Sequence, residues 1–231
     1  MKQLPHLLTF ALTLAAARAD LVVEQKIESQ MQNGNITIKV KGDNIRIDMP
    51  TSPMGAMSTV MNVNTGDSLS LIHGQKMAMK VSGAQTKAMM EAMKKQAPAT
   101  ENAAPKLQAT GKTEKVGDYT TEIYTWTGAG STQTLWIAKD FPNYASFKDE
   151  LGKLNKSAAT GIAKDMQPDF STLPGMVVKT IAETAGMKMT STLISVKQEP
   201  VDAALFQAPA DYQSMTPPAL PGAAAPPPIP K

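Results

Sequence analysis

The chain has 231 residues, of which 23 are basic and 20 acidic, and it contains no cysteine. The lack of cysteine excludes disulfides, thiolate nucleophiles, cysteine-ligated metals and the lipidated cysteine of bacterial lipoproteins. The near balance of charge disfavours a nucleic-acid-binding protein, which needs a concentrated basic face to neutralise phosphates. The length suits one medium domain or two small ones.

The N-terminus has the pattern of a secretory signal. Lys2 supplies a positive charge, an apolar run extends from Leu7 to Ala17, and a small-x-small sequence ends at Ala19. We therefore predict a signal peptide over residues 1–19 and a periplasmic or secreted protein after its removal. The apolar run is shorter than the roughly 20 residues that cross a bilayer, and no later run reaches that length, so no membrane-spanning segment is expected.

Short alternating runs between turn residues predict an antiparallel sheet in the first half of the chain. Ile36, Ile38 and Val40, for example, share one face of a strand because successive side chains alternate. The predicted strands here are 21–28, 36–40, 45–49, 57–63, 68–72 and 76–81. The pattern then changes to alanine and methionine at helical spacing, which predicts a helix over 84–96.

The second half also contains strands and one helix, but no convincing residue-level repeat relates it to the first half. Its predicted strands are 106–116, 119–127, 132–138, 176–183 and 187–198, with a helix over 143–165. Residues 97–105 are predicted to form a flexible connection, and the proline- and alanine-rich residues 216–231 a disordered tail. The fold predicted for 20–215 is a single domain of mainly β structure with helices (α+β). Its form is a curved antiparallel sheet or half-open β-barrel, with helices on the concave side.

The residue types needed for catalysis are sparse. His73 is the one histidine outside residues 1–19, and it stands beside a glycine, which indicates a solvent-exposed turn residue. One imidazole without cysteine cannot build a histidine-based metal cluster. The neighbouring Asp149 and Glu150 do not face each other on a helix, so we interpret them as a solvated pair and not as an acid/base pair. We therefore expect no catalytic residue, no metal site, no cofactor and no enzymatic activity.

Methionine is unusually frequent, with 16 in the chain. Met77 and Met79 point the same way in a strand, as do Met187 and Met189. Thioethers bind Cu(I), but such sites usually recruit histidine or cysteine as well, so copper binding is a third hypothesis for function. Flexible methionines more often fill irregular apolar interiors or line adaptable binding surfaces.

Large aromatic residues lie on two neighbouring predicted strands. Such residues usually anchor the core of a β protein, but at the mouth of a half-open barrel they also suit an apolar ligand. Combined with the methionines, they predict a ligand cavity lined by Met61, Met77, Met79, Tyr124, Trp126 and Trp136.

Four segments carry a resemblance to a known family. Residues 36–48 (ITIKVKGDNIRID), 61–67 (MNVNTGD), 73–80 (HGQKMAMK) and 202–212 (DAALFQAPADY) resemble the bacterial DUF4412 family. That family is similar to the LolA/LolB-like periplasmic lipoprotein carriers and outer-membrane lipoprotein receptors. The resemblance implies a half-open antiparallel barrel with a helical lid around an apolar cavity, and it supplies no site residue.

Two functional hypotheses follow. In the first, a soluble exported protein binds a lipid, an acyl chain of a lipoprotein or another apolar ligand in the half-barrel. In the second, a non-enzymatic envelope protein with a packed barrel docks a partner through an exposed edge strand or its proline-rich tail. Occupancy of the pocket separates the two hypotheses.

Overall fold

Strands form where the sequence alternates. A computed structural model describes residues 20–30, 33–50, 55–96, 106–128, 131–159, 168–184 and 186–215. The strands are β1 (Leu21–Ser29), β2 (Asn33–Lys41), β3 (Asn44–Met49), β4 (Met57–Asn62), β5 (Ser68–Ile72), β6 (Met77–Val81), β7 (Lys106–Val116), β8 (Tyr119–Gly128), β9 (Ser131–Ala138), β10 (Met176–Thr184), β11 (Met187–Gln198) and β12 (Gln213–Met215). Helix α1 (Gly83–Gln96) follows β6 and helix α2 (Tyr144–Ala159) follows β9. Each predicted strand and both helices are present, and β12 is an addition.

All strands belong to one sheet. Its order is β12-β6-β5-β4-β3-β2-β1-β11-β10-β9-β8-β7, so two meanders meet where β1 pairs with β11. Every pairing is antiparallel except that of β12, which lies parallel to β6. The mainly β prediction is confirmed as a 12-stranded, open and largely antiparallel sheet with two helices.

Helix α2 covers one face of the sheet. Leu21, Val23 and Val40 point to this face, where they pack with Phe147 and Leu151 of α2 into the main core. We call it the helix-covered face. Each of these five side chains is at most 8% exposed, so α2 is held chiefly by burial of apolar surface.

Two charged residues of α2 also anchor it. Glu150 is buried and accepts a hydrogen bond from Lys153, and the Lys153 ammonium also donates to the backbone oxygen of Gly42, in the turn between β2 and β3. The interpretation of Asp149 and Glu150 as a solvated pair is therefore wrong for Glu150. Its charge is compensated by the neighbouring cation, as a buried carboxylate requires.

The opposite face of the first meander is covered by the end of the chain. Residues 199–215, which we call the C-terminal strap, leave β11 and run to the far edge of the sheet, where β12 pairs with β6. Val60, Leu69, Leu71 and Ala78 form a second buried cluster on this strap-covered face. The strap packs on this cluster through Phe206, Ala208 and Tyr212.

Several predicted segments lie outside the described residues. These are the signal sequence 1–19, the connection 97–105 and the tail 216–231. Within the described ranges, no helix combines the length and apolar character needed to cross a membrane.

Candidate functional site

A pocket of about 350 Å³ opens on the helix-covered face. Apolar walls come from Ile27, Ile36, Met49, Phe170, Val178 and Leu193, and polar groups from Gln25, Gln133, Thr180 and Ser191. Among the described residues of its lining, Lys179 alone is charged. A concave apolar space with a few polar groups is the usual form of a small-molecule site.

The strand register explains why these residues meet. Ile27 of β1 lies opposite Ser191 of β11, and Ser191 lies opposite Thr180 of β10, so one row of side chains crosses three strands on the same face. Phe170 is added from outside the sheet by a short 3-10 turn, Phe170–Thr172, that follows α2. The site therefore depends on β1 and β11 being paired.

The pocket continues beneath α2. A smaller space of about 60 Å³ shares Gln25, Phe170 and Val177 with it and is otherwise lined by residues that include Leu151 and Leu154 of α2. Phe170 thus stands between an open part of the site and a narrow part under the helix.

The three predicted methionines lie elsewhere on the same face. Met61 is in register with Ile45, a core residue of the helix-covered face, and Met77 and Met79 lie on β6, two strands from Met61. All three are half-buried. Met77 and Met79 are brought together, but none of the three lines the 350 Å³ pocket.

The predicted aromatic residues are divided between the two faces of the sheet. Tyr124 and Trp126 lie opposite Leu135 and Gln133, whereas Trp136 lies opposite Ile123 and therefore points the other way. Trp126 is 3% exposed and Trp136 is 6% exposed. Both are buried in the protein core, and neither these tryptophans nor Tyr124 line the pocket.

Trp136 has its own polar partners. Its Nε1 donates a hydrogen bond of 2.8 Å to the Glu114 carboxylate, and the Lys179 ammonium lies 4.4 Å from the ring centroid. Such a cation–π contact stabilises the position of the tryptophan ring in addition to its burial. The arrangement is that of a structural anchor.

His73 belongs to a polar network on the strap-covered face and is not a solvent-exposed turn residue. It is half-buried, its Nε2 lies 2.7 Å from the Ser58 hydroxyl, and its Nδ1 lies 2.6 Å from the Tyr212 hydroxyl. The network continues to Arg46 and Asp48. The turn itself was predicted correctly and is a 3-10 helix, His73–Gln75.

The available protons determine which group donates and which accepts in each hydrogen bond of this network. The Ser58 hydroxyl donates its single proton to Asp48 at 2.6 Å and accepts from Arg46 at 2.8 Å. His73 Nε2 must then donate to Ser58, and in a neutral imidazole Nδ1 accepts from Tyr212. Every member has a partner, as a buried polar network requires.

Ser58 and His73 stand at the distance of a nucleophile and its base, but the arrangement does not suit catalysis. Ser58 is 1% exposed, its proton points to Asp48, and a tyrosine holds the second nitrogen of His73. A serine nucleophile needs to lose its proton to the histidine and to reach a substrate. The network instead ties the strap to the sheet, where Arg46 also donates to the backbone oxygen of Leu205.

The electrostatics of Asp48 fit this role. Burial by itself raises its pKa, but hydrogen bonds from Lys39, Ser58 and Arg46 outweigh that effect and hold the pKa below the ordinary value of 3.8. Asp48 therefore stays ionised and keeps its cationic partners. Among the described residues, no group of three histidine, aspartate or glutamate side chains is arranged to hold a metal ion.

The structure is that of a mainly β protein with an open, largely apolar pocket on one face of its sheet. The chain belongs to the DUF4412 family, described as a domain of unknown function, whose pattern matches residues 21–212. This confirms the family resemblance, and the match extends through Tyr212 of the strap. No protein of curated function matches the sequence.

Solved structures with similar architecture are distant. PNGF-II is 12% identical with a TM-score of 0.40, covering 86% of this chain and 32% of its own, so this chain spans about a third of that protein. The lipoprotein LppX of Mycobacterium tuberculosis is 10% identical with a TM-score of 0.42, covering 78% and 88%. LprF from Mycobacterium bovis is 11% identical with a TM-score of 0.34, covering 86% and 92%. At these values the similarities carry no argument about function.

Proposed function

We propose that this protein is an exported, non-enzymatic protein that binds an apolar ligand, such as a lipid or an acyl chain, in the pocket on the helix-covered face. The observation that carries the proposal is the pocket itself, about 350 Å³ with a mainly apolar wall. Its volume falls within the range of roughly 300–1,000 Å³ that is usual for small-ligand sites. Export rests on the signal pattern of residues 1–19.

The walls of the pocket favour a hydrocarbon over a charged metabolite. No described aspartate, glutamate or arginine lines the pocket, and the ammonium of Lys179 lies over the ring of Trp136. A charged ligand would lose its hydration without gaining a paired charge, which is costly. An apolar chain gains about 0.8 kcal/mol for each methylene group that it buries.

A second candidate function rests on the edge strand β7. Its residues 108–115 are all exposed, and it pairs only with β8 in the described sheet. An exposed strand edge can accept a strand from a partner protein. However, the register of β7 shifts between Ala109 and Thr113, and such a bulge interrupts an edge and protects it from pairing. The pocket is therefore the better-supported site.

The first test uses full-length protein recovered from its native host. Native mass spectrometry followed by organic extraction identifies any molecule that leaves with the protein. A lipid or acyl species at one per chain supports the proposal. A protein of unliganded mass that also takes up no added apolar probe contradicts it and favours the edge-strand function.

A matched pair of variants locates the binding. Ala182 lines the pocket, so Ala182→Trp should fill it and weaken binding of the fluorescent probe N-phenyl-1-naphthylamine at least tenfold. Ala109→Trp places the same side chain at an exposed strand position outside the pocket and should bind the probe as the wild type does. Equal binding by both variants would show that the probe binds elsewhere.

A further inference from the structure

A second pocket, of about 440 Å³, adjoins the N-terminal end of α2. Its lining includes Tyr119, Phe141 and Phe147 on one side and Leu193 and Gln198 of β11 on the other. The three aromatic rings pack together, with centroids 4.9 Å apart for Tyr119 and Phe141 and 6.0 Å apart for Phe141 and Phe147. Leu193 also lines the 350 Å³ pocket and is the one residue common to both linings.

The two pockets follow one another along β11. Met189, Ser191 and Leu193 line the first, and Leu193, Val196 and Gln198 line the second. All five side chains point to the helix-covered face, because a bulge at Ile194 shifts the alternation by one residue. At 3.3 Å per residue, Met189 and Gln198 are roughly 30 Å apart along the strand.

The ends of this space differ in chemistry. Around Ile27 and Ile36 the first pocket is mainly apolar, whereas the second pocket offers the side chains of Asn143 and Gln198, and none of the described residues in its lining is charged. The Gln198 amide has two N–H donors and two acceptor positions. Ser146 engages one of each, through its backbone oxygen and its hydroxyl. Gln198 therefore keeps hydrogen-bonding capacity for a ligand.

We propose that the ligand is a single-chain amphiphile with an uncharged polar end, lying along β11 with its chain in the first pocket and its polar end beside Gln198 and Asn143. This inference rests on the proposed function and adds the class and orientation of the ligand. An uncharged hydroxyl, ester or amide end matches the neutral amides of the second pocket. A carboxylate or phosphate would enter it without a cationic partner.

The experiment compares displacement of N-phenyl-1-naphthylamine from the full chain by monoacylglycerols and by fatty acids of equal chain length. The monoacylglycerol should bind at least tenfold more tightly than the fatty acid. Affinity should rise with chain length by at most about fourfold per methylene group. Equal affinity for the two head groups, with chain-length dependence retained, overturns this inference and leaves the proposed function standing. Failure of every chain to displace the probe overturns both.

Two further variants test the orientation. Gln198→Leu should remove most of the preference for the uncharged head group while keeping the affinity for the fatty acid. Ser146→Ala removes only the hydrogen bond from the Ser146 hydroxyl to the Gln198 amide and leaves that amide in place, so it should keep the preference. If Ser146→Ala abolishes the preference as fully as Gln198→Leu does, the amide acts through the fold and the proposed contact is wrong.

Substitutions of Leu193 test whether the two pockets act as one site. Leu193→Trp should close the passage between them, so that affinity stops rising at a shorter chain length. Leu193→Phe provides a milder change if the tryptophan variant does not fold. Lys197→Trp, at an exposed position outside both linings, is the control and should behave as the wild type. An unchanged chain-length profile in the folded Leu193 variants overturns the shared site.

Discussion

The hydroxyl of Tyr212 lies 2.6 Å from Nδ1 of His73, which is 139 residues away in the sequence. This contact fastens the strap to the first meander at the turn between β5 and β6. The two rings also meet edge to face, with centroids 5.9 Å apart. Tyr212→Phe keeps the ring and removes only the hydroxyl.

We predict that Tyr212→Phe lowers the free energy of unfolding by about 1 kcal/mol, because a hydrogen bond is lost and a half-buried nitrogen loses its partner. Hydrogen exchange should accelerate in the strap, residues 199–215, while exchange in β1 and β2 stays at the wild-type rate. The measurements are denaturant unfolding and hydrogen exchange followed by mass spectrometry. Unchanged exchange in the strap would mean that the contact does not hold it.

Asp48→Asn should change how stability depends on pH. The pKa of Asp48 in the folded protein lies below its ordinary value of 3.8, so the folded state favours the ionised form. The stabilisation is present above about pH 4 and is lost as pH falls through the lower, folded-state pKa. The wild type should therefore exceed Asp48→Asn in stability at pH 7, and the difference should shrink in acid.

A suitable control for that pH series is Asp211→Asn. Asp211 pairs with Lys76 at 2.9 Å, but both side chains are more than half exposed, so solvent screens their interaction. The control should show little change in stability at any pH. A stability difference for Asp48→Asn that is constant from pH 7 to pH 3 would contradict the role given to its charge.

Two truncations separate the strap from the residues that follow it. Removing 216–231 should leave the unfolding midpoint unchanged, as expected if these residues form the disordered tail that the sequence predicts. Removing 202–231 should destabilise the protein, because Val60, Leu69 and Leu71 lose the cover of Phe206 and Tyr212. Thermal unfolding of both truncated proteins provides the measurement. A strap truncation as stable as the wild type would show that these residues add nothing to the fold.

The strands were predictable because their residues alternate along most of their length. In β2, Ile38 and Val40 are buried on one face while Lys39 lies on the other and pairs with Asp48, as period two requires. The helices were predictable from the change of period. Both signals are local, so neighbouring residues alone sufficed to find each element.

The strap could not be predicted in the same way. Residues 199–215 show neither the strand period of two nor the helical period, and they contain Pro200 and Pro209. They form only a 3-10 turn, Ala203–Phe206, and the three-residue strand β12. Their position is set by contacts with β4, β5 and β6, far away in the sequence. Tyr212, one of the two partners of His73, was missed for the same reason, since it comes from the strap.

The faces of the aromatic residues were within reach of the sequence. Gly128 lies opposite Ser131, and counting back along both strands from this pair places Trp126 opposite Gln133. Trp136 then falls on the other face, because one residue of offset reverses the direction of a side chain. The pocket could not be predicted from the sequence, because it combines β1, β10 and β11 with Phe170 and no local pattern brings these together.

A glycine beside the pocket has a steric role that substitution can test. A Cβ atom on Gly175 would lie 2.3 Å from the backbone oxygen of Ala138, so Gly175→Ala must displace the backbone and should cost about 1–3 kcal/mol of stability. A Cβ atom on Gly74 would have no neighbouring heavy atom within 4 Å, so Gly74→Ala should change stability by less than about 0.5 kcal/mol. Chemical denaturation of both variants tests this contrast.

The pairing of β1 with β11 also constrains the order of events in synthesis. Glu24 and Ser195, hydrogen-bonded across this seam, are separated by 171 residues, so β1 remains without its second neighbour until nearly the whole chain has been made. Contacts of such long range slow folding. The first meander can assemble early from local hairpins, but the 350 Å³ pocket cannot, because it requires both sides of the seam. That pocket therefore forms only after β11 has been synthesised.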